Sequence, residues 1–518
     1  MMPEILNLRS LIKYASDTYG EKTYLFSENN LFENITFNSL EKFTVRFNAY
    51  CENNHINIGE KIAIILPNSP LFVLLLISTI ATGRILIPIN PKFGDIELSH
   101  VINLTKPKLI IHNKKAHDKL KNFQCHKKII DSDKDFFKEI NKLDNNPSYS
   151  HAYINSNDTA EIVFTSGSTG TPKGVVITQG NLIANILGIS ERLNPSMHDI
   201  FLTLTPLYHN SGQFFSTFVP LVSGSSCTIV KPELALANFW HYIEKYKINW
   251  TLTMPTHINF LLQQKKEITN SSLKGIVVGG APLSVAAQKK FEKKFNVNIL
   301  KTYGLTETCS FSTCDFPNKN QQALGASGKP LSTNMIKIVK SKKFIDEPYV
   351  TGEIWIKGSN VVQSYLDNKK ETTKKFINGW LATGDLGYID KEHNVYVIDR
   401  IDNMIIVNGE NVYPSEIENL LSLLNGIKQG VVTSIPNEIM GNELVLIYEG
   451  LEFNTLLVNE WIAVLQKKIA SYKIPMRYVN VTEFGLNTIP KSENGKILRE
   501  KIKKLAHTYL IKEVQESN

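Results

Sequence analysis

Residues Thr165, Ser166, Gly167, Ser168, Thr169 and Gly170 run on through Thr171-Pro172-Lys173-Gly174-Val175, directly after the apolar run Ile162-Val163-Phe164. The β-branched and aromatic run reads as a buried strand. Six hydroxyl or glycine residues in a row cannot build a core. They can build a loop whose backbone N–H groups and hydroxyls face one point, and small side chains let that backbone approach the oxygens of a polyphosphate. Lys173 adds a mobile positive charge. The loop is not a Walker A sequence, which needs Lys and then Ser or Thr directly after a glycine; here Pro172 precedes the lysine and Gly174 follows it. A flexible Gly/Ser linker is a poor alternative, because a linker seldom follows a buried strand directly and then closes with Pro-Lys-Gly before another apolar run.

Five further segments follow in order: Tyr303-Gly304-Leu305-Thr306-Glu307-Thr308, Thr383-Gly384-Asp385, Asp399-Arg400-Ile401-Asp402, Asn408 to Glu418 with Gly409 near its start, and Pro490 to Lys496. Together with the loop they resemble, in order and spacing over nearly the whole chain, the motifs of the adenylate-forming superfamily. That superfamily includes acyl-CoA synthetases, stand-alone adenylation enzymes and beetle luciferases. The Gly409-Glu410-Asn411-Val412-Tyr413-Pro414 segment is more similar to CoA ligases than to peptide-synthetase adenylation domains.

A chain of 518 residues can bury a large core and should hold more than one domain. Up to about residue 400, strand-like runs (Ile62 to Leu66, Leu109 to His112, Thr228 to Val230, Gly275 to Val278) alternate with helix-like segments (Leu234 to Tyr246, Ser284 to Phe295), the pattern of layered α/β folds. Residues 113–150, rich in Lys, Asp and Asn, read as a surface segment. The expected fold class is α/β: a large multi-layer N-terminal domain over 1–401 and a small mobile α+β lid over 402–518, with Asp402 as hinge by resemblance. In the lid, Ser415 to Leu424 and Val458 to Ser471 read as helices and Glu443 to Tyr448 as a strand.

The net charge of +8 is mild for this length, and anionic small substrates are reason enough for it; no basic stripe with interleaved aromatics argues for nucleic acid. Five cysteines, an odd count without a CxxC pair, fit a reducing cytoplasm better than a disulfide framework. The start carries no signal-peptide pattern and the end no peroxisomal address. The greasiest stretch, Leu71 to Ala81, is too short to span a bilayer and reads as a buried helix. Monomer and homodimer are both open.

The resemblance implies the cofactors and substrates ATP, Mg2+, coenzyme A and a small carboxylic acid. Thr165 to Lys173 would hold the phosphates, Glu307 the magnesium, and Thr306 the α-phosphate. Tyr303 and Gly304 would lie against one face of the adenine and Gly280 and Ala281 against the other. Asp385 would accept the ribose hydroxyls with Arg400 nearby. Lys496 would bridge carboxylate and α-phosphate, Gly409 would leave a channel for pantetheine, and Lys473, with Arg477, would meet the CoA phosphates. His209 would line the acyl site near the thiol, beside Gly188, Tyr208, Asn210, Ser211, Met254, Thr256, His257, Cys309 and Ser310. Gly188 stands where benzoate-type relatives carry a bulky aromatic, so a longer chain would be admitted; Asn210, Ser211, Thr256 and Ser310 would instead bind a polar substituent, and alkyl and aryl acids are both open. His209 and Asn210 offer no carboxylate for an α-ammonium group, which argues against an amino-acid substrate. Taken singly, these residues also have structural readings: Tyr303 as core, Glu307 as a helix N-terminal charge, Asp385 as an Asx-turn, Lys496 as a solvated charge. The implied activity is an acid–CoA ligase working through an acyl adenylate, on a fatty or an aryl acid. Alternatives are an acyl-AMP ligase loading a carrier protein, a luciferase-like oxygenase, and a nucleotide-binding regulator with a dead site.

Overall fold

The computed structural model describes residues 4–27, 34–144, 153–165, 172–230, 235–264, 271–437, 441–492 and 495–516. Two parallel-rich sheets dominate the first half. One runs in the order His126–Ile130, Leu109–Asn113, Lys61–Ile65, Ile85–Pro88, Thr159–Thr165, Lys173–Thr178, and only the last pair is antiparallel. The other has a parallel centre in the order Ile299–Tyr303, Gly275–Val278, Trp250–Thr253, Ile200–Thr203, Ser226–Ile229, Thr23–Ser27. Their central strands, such as Lys61–Ile65 and Gly275–Val278, are mostly apolar runs because both faces are covered. The helix Pro70–Ala81 is buried on every side and belongs to the core shared by both sheets, which is why its sequence lacks a polar face. Ser69 caps its first turn and Pro70 takes a position where no N–H is needed.

A third, antiparallel sheet is built from Asn334–Lys340, Gly352–Gly358, Trp380–Ile389 and shorter partners, with Val395–Arg400 beside Trp380–Ile389. After residue 404 the apolar side chains form cores of their own, around Trp461, Tyr448 and Leu446 on one side of the sheet Ile427–Asn437, Gly441–Gly450, Arg477–Asn480 and around Val445, Val479 and Ile502 on the other. The architecture is thus a large mixed α/β body followed by a smaller sheet-containing one.

Several element expectations need correction. Residues 113–150 are more than surface: Lys114–Leu120 and Asp133–Asn141 are helices and His126–Ile130 is an edge strand, with Phe136 and Ile140 buried. Of the helix expected over Leu234 to Tyr246, Leu234 lies outside the described residues, and a turn after Ala235 precedes the helix Phe239–Tyr246. Ser415 to Leu424 breaks into the short helix Pro414–Glu418 and the 3-10 turn Leu421–Leu423, with Ile417, Leu421 and Leu424 all buried in one core. The helix expected from Val458 to Ser471 spans Thr455–Gln466 and yields to a 3-10 turn at Ser471–Lys473. No helix among the described residues is long and apolar enough to cross a membrane.

One core residue breaks the apolar rule. Glu161 lies in the strand Thr159–Thr165, fully buried, and neither carboxylate oxygen has a hydrogen-bond partner. Burial pushes its carboxyl up to about 8, while Gln213 pulls the other way. It is therefore protonated when folded at neutral pH and ionised when unfolded above its ordinary 4.5. The contribution to stability is complete below pH 4.5 and is lost as pH rises through about 8. In Glu161→Gln the unfolding free energy from denaturant titration should match the wild type near pH 4.5 and exceed it at pH 8, by up to about 4 kcal/mol. Parallel pH slopes in both proteins would refute this.

Candidate active site

Several of the motif segments gather because they follow the carboxyl ends of parallel strands, where open α/β sheets form crevices, whereas Asp385 and Arg400 come from the antiparallel sheet. Trp250–Thr253 delivers Met254 to His257, Gly275–Val278 delivers Gly279 to Ala281, and Ile299–Tyr303 delivers Gly304 to Glu307. The strand Thr159–Thr165 delivers the Ser/Gly/Thr loop. Thr165 and Lys173 face each other across the antiparallel ladder, so the two ends of that loop are pinned together. Ser166, Gly167, Ser168, Thr169 and Gly170 lie outside the described residues. Gly304 is required sterically: a Cβ there would stand 1.8 Å from the carbonyl oxygen of Ser310. Gly280 adopts φ +80° with nothing within 4 Å, and with Ala281 it leaves an open backbone wall.

Asp385 is the electrostatic centre. It is 6 % exposed, accepts from the Tyr303 hydroxyl at 2.6 Å and pairs with Arg400 Nη1 at 3.1 Å. Burial raises its pKa, and Arg400, Tyr303, Lys375 and Lys496 work against that rise. Burial likewise lifts the Tyr303 phenol well above its usual value, so it stays a donor. Arg400 also reaches Asp402 at 3.6 Å. Asp402 is well exposed, in a 3-10 turn. Its neighbour Asp399 organises that junction, accepting from Arg400 N, Asn403 Nδ2 and Ser415 N.

Glu307 sits on a 3-10 turn with Thr306, both half-buried, and its Oε1 accepts from the Tyr365 hydroxyl at 2.6 Å. Lys173 pairs with Glu371 at 2.5 Å and lies over the Tyr365 ring at 5.9 Å. Tyr365 is held in turn by backbone bonds that lay its segment along the strand Lys173–Thr178 (Leu366 N to Gly174 O at 2.8 Å, Val176 N to Ser364 O at 3.3 Å).

Lys496 comes from the far end of the chain. Its loop is closed by Ser492 N donating to Lys496 O at 2.7 Å and Gly495 N donating to Ser492 O at 2.8 Å. Arg499 anchors it through both oxygens of Glu418. Gly495, at φ +71°, comes so close to Thr256 that a Cβ would lie 2.8 Å from its Oγ1. This packing brings Lys496 within the fields of Arg400, Asp385 and Glu307. Loss of water, then the repulsion of Arg400, holds its ammonium pKa below 10.5, although the side chain keeps an exposed edge.

Around the expected acyl pocket, Tyr208 and His209 pack ring to ring at 4.6 Å. Asn210, Cys309 and Ser310 are buried and Ser211 half-buried. Neither Asn210 Nδ2 nor Ser310 Oγ has a partner. His257 accepts or donates at Thr253 Oγ1 (2.7 Å), and burial lowers its pKa. Gly188 corrects an expectation: the room beside it is taken by Thr333 and Leu331, 2.9 to 3.4 Å from a Cβ there, so its missing side chain serves this packing and opens no acyl channel. Gly409 stands apart from the cluster, on the exposed tip of the hairpin Ile405–Val407/Glu410–Val412. Lys473 is paired with Glu416 at 2.5 Å and Arg477 with Glu443 at 2.6 Å, so neither is an uncommitted cation.

The sequence model of the family described as AMP-binding enzyme matches residues 12–366. The chain belongs to that family. It is 31% identical over 356 residues to the 2-succinylbenzoate–CoA ligase of Bacillus subtilis (strain 168), covering 68% of this chain and 70% of that protein. The structure of o-succinylbenzoate CoA synthetase from Bacillus subtilis in complex with its acyl-adenylate intermediate superposes with a TM-score of 0.83 at 25% identity, covering 95% of this chain and 97% of that one. The same enzyme in complex with ATP and magnesium ion gives 0.81 at 25% identity, covering 95% and 99%. These place the chain in the acyl-CoA synthetase branch.

The carboxylate of Glu307 fits a magnesium ion of that family. Among the described residues there is no cluster of three or more His, Cys, Asp or Glu, so no all-protein cage exists. Magnesium is instead suited to one carboxylate plus substrate phosphates and water. Tyr365, which turns that carboxylate, is not visible in the motifs, nor are Glu371 and Lys375. If Tyr365 orients Glu307, Tyr365→Phe should raise KM for Mg·ATP about tenfold, the size of one lost hydrogen bond to a charged group, with little change in the thermal midpoint. An unchanged KM in a steady-state ATP titration would remove Tyr365 from the site.

Proposed function

We propose that this chain is an AMP-forming carboxylic acid–CoA ligase in which Glu307, Asp385, Arg400 and Lys496 form the adenylation centre. The carrying observation is their convergence: segments nearly 200 residues apart in sequence bring two carboxylates and two cations to one crevice. An acid carboxylate oxygen attacks the α-phosphorus of ATP and pyrophosphate leaves; the thiol of CoA then attacks the acyl carbon and AMP leaves. Both partners of the first step are anions, so the site must cancel charge and hold a line of attack.

Lys173 and the loop it closes take the β- and γ-phosphates. Glu307 would hold the magnesium, which would supply charge neutralisation along the triphosphate. Thr306 donates to the α-phosphate, and Asp385, fixed by Tyr303 and Arg400, accepts the ribose hydroxyls. Tyr303 lies along the adenine, with Gly280 and Ala281 opposite. Lys496 bridges the acid carboxylate and the α-phosphate. The lid then turns about Asp402 and presents Gly409, where φ +82° and empty surroundings leave room for a thin pantetheine arm. His209 stands beside the acyl carbon. The unpartnered donors of Asn210 and Ser310 support an acid that carries a hydrogen-bond acceptor, rather than a plain alkyl chain.

A panel of fatty, keto, benzoic and cinnamic acids with ATP and CoA tests this, with hydroxylamine replacing CoA in parallel wells. Acyl-CoA formation is the expected result; hydroxamate without CoA consumption would assign a carrier-protein acceptor instead. Lys496→Ala should cut adenylation by about 100-fold or more while sparing thioester formation from supplied acyl-AMP. Equal loss of both steps would count against the role of Lys496. Wild-type adenylation should decline with rising pH through an apparent pKa below 10.5, and Lys496→Arg should lack that decline.

A further inference from the structure

Asp385 does not sit on a regular strand. Along Trp380–Ile389, Ala382 pairs with Trp355 and Leu386 with Glu353, so Thr383, Gly384 and Asp385 together oppose the single residue Ile354. The register toward Val395–Arg400 also shifts, between Leu386 and Gly387. A bulge re-aims a side chain, but it takes backbone groups out of the ladder. Those groups must find other partners.

Side chains supply them. Gly384, at φ +77°, donates its N–H to Glu353 Oε1 at 2.9 Å. Thr383 Oγ1 donates to Ile354 O at 2.6 Å and accepts from Asp385 N at 3.0 Å. The carbonyls of Ala382 and Thr383 both accept from one ammonium, Lys375 Nζ, at 3.1 and 3.0 Å. Thr383 O is shared with Arg400 Nη1 at 3.3 Å, the same guanidinium nitrogen that pairs with Asp385. A Cβ on Gly384 would lie 3.1 Å from Lys375 Nζ and 3.2 Å from Arg400 Nη2. Two cations are therefore pressed against one turn, and Asp385, Glu307 and Glu353 balance them.

Lys375 ends the helix Lys369–Lys375, whose composition reads as a solvated face. One turn earlier, Glu371 holds Lys173. The i and i+4 positions share a helix face, so this helix grips the phosphate hairpin with one side chain and the bulge with the other.

We infer that Lys375 is a positioning residue for nucleotide binding: by holding the carbonyls of the Thr383–Asp385 bulge it fixes the direction of the Asp385 carboxylate toward the ribose. This rests on the reading of Asp385 as the ribose acceptor. The test compares binding of ATP and of 2′,3′-dideoxy-ATP to the full chain by titration calorimetry, for the wild type, Lys375→Met, Lys375→Arg and Asp385→Asn.

The wild type should prefer ATP by about tenfold or more, the value of hydrogen bonds to a charged acceptor. Lys375→Met should lose most of that preference, as Asp385→Asn does. Lys375→Arg, which keeps donors and charge, should retain it. A merely structural or general charge role would weaken both nucleotides equally and leave the ratio intact; that result in Lys375→Met overturns the inference. If the wild type shows no preference, the reading of Asp385 itself fails. Thermal midpoints of the four proteins identify a variant that has not folded, and in that case the ratio for Lys375→Arg against Lys375→Gln decides.

Discussion

The rest of the site depends on keeping one carboxylate charged in a place that disfavours charge. Asp385 is almost sealed from water, and desolvation raises its pKa. A guanidinium on the adjacent strand, a phenol from a different sheet and the field of two lysines work against that rise. Tyr303 and Lys496 come from distant parts of the chain, Arg400 and Lys375 from nearby elements. The aspartate thereby ties the sheet that carries Tyr303, the antiparallel sheet and the Lys496 loop into one electrostatic unit. Removing a partner from such a unit exposes the whole desolvation cost of what remains, so its members stand or fall together.

The same economy of placement recurs at Glu307 and Lys173. Each carries a charge that an anionic nucleotide or its cation would use, and each is already engaged by a neighbour: Tyr365 for the carboxylate, Glu371 for the ammonium. Those neighbours lie on one stretch, residues 365–375, that runs along the edge of the phosphate hairpin and then coils into a single short helix. A segment without a motif of its own thus sets the direction of three groups that have one.

How much of this was legible beforehand follows from how each residue acts. A residue type needed at a fixed backbone place leaves a signature: Gly304 because any Cβ strikes Ser310, the apolar central strands because both faces are covered. The layered α/β body and the smaller second body could be read from the same signals. Tyr365 and Lys375 act through tertiary contact alone, and Lys369 to Lys375 is as polar as any exposed helix, so nothing in the sequence separated them from a solvated surface. Gly188 misled for the complementary reason: an absent side chain tells that space is needed but not what fills it, and Thr333 fills it. The strand and two helices in residues 113–150 were hidden because an edge strand and short amphipathic helices need few apolar residues.

The hairpin that carries Gly409 turns through Asn408 and Gly409, both at positive φ (51° and 82°), between the closing pair Val407 and Glu410. That is the two-residue turn whose twist matches the strands it joins, and Asn-Gly is the sequence that adopts it with least strain. The turn is therefore set by its own sequence, and the hairpin holds a preorganised edge toward solvent.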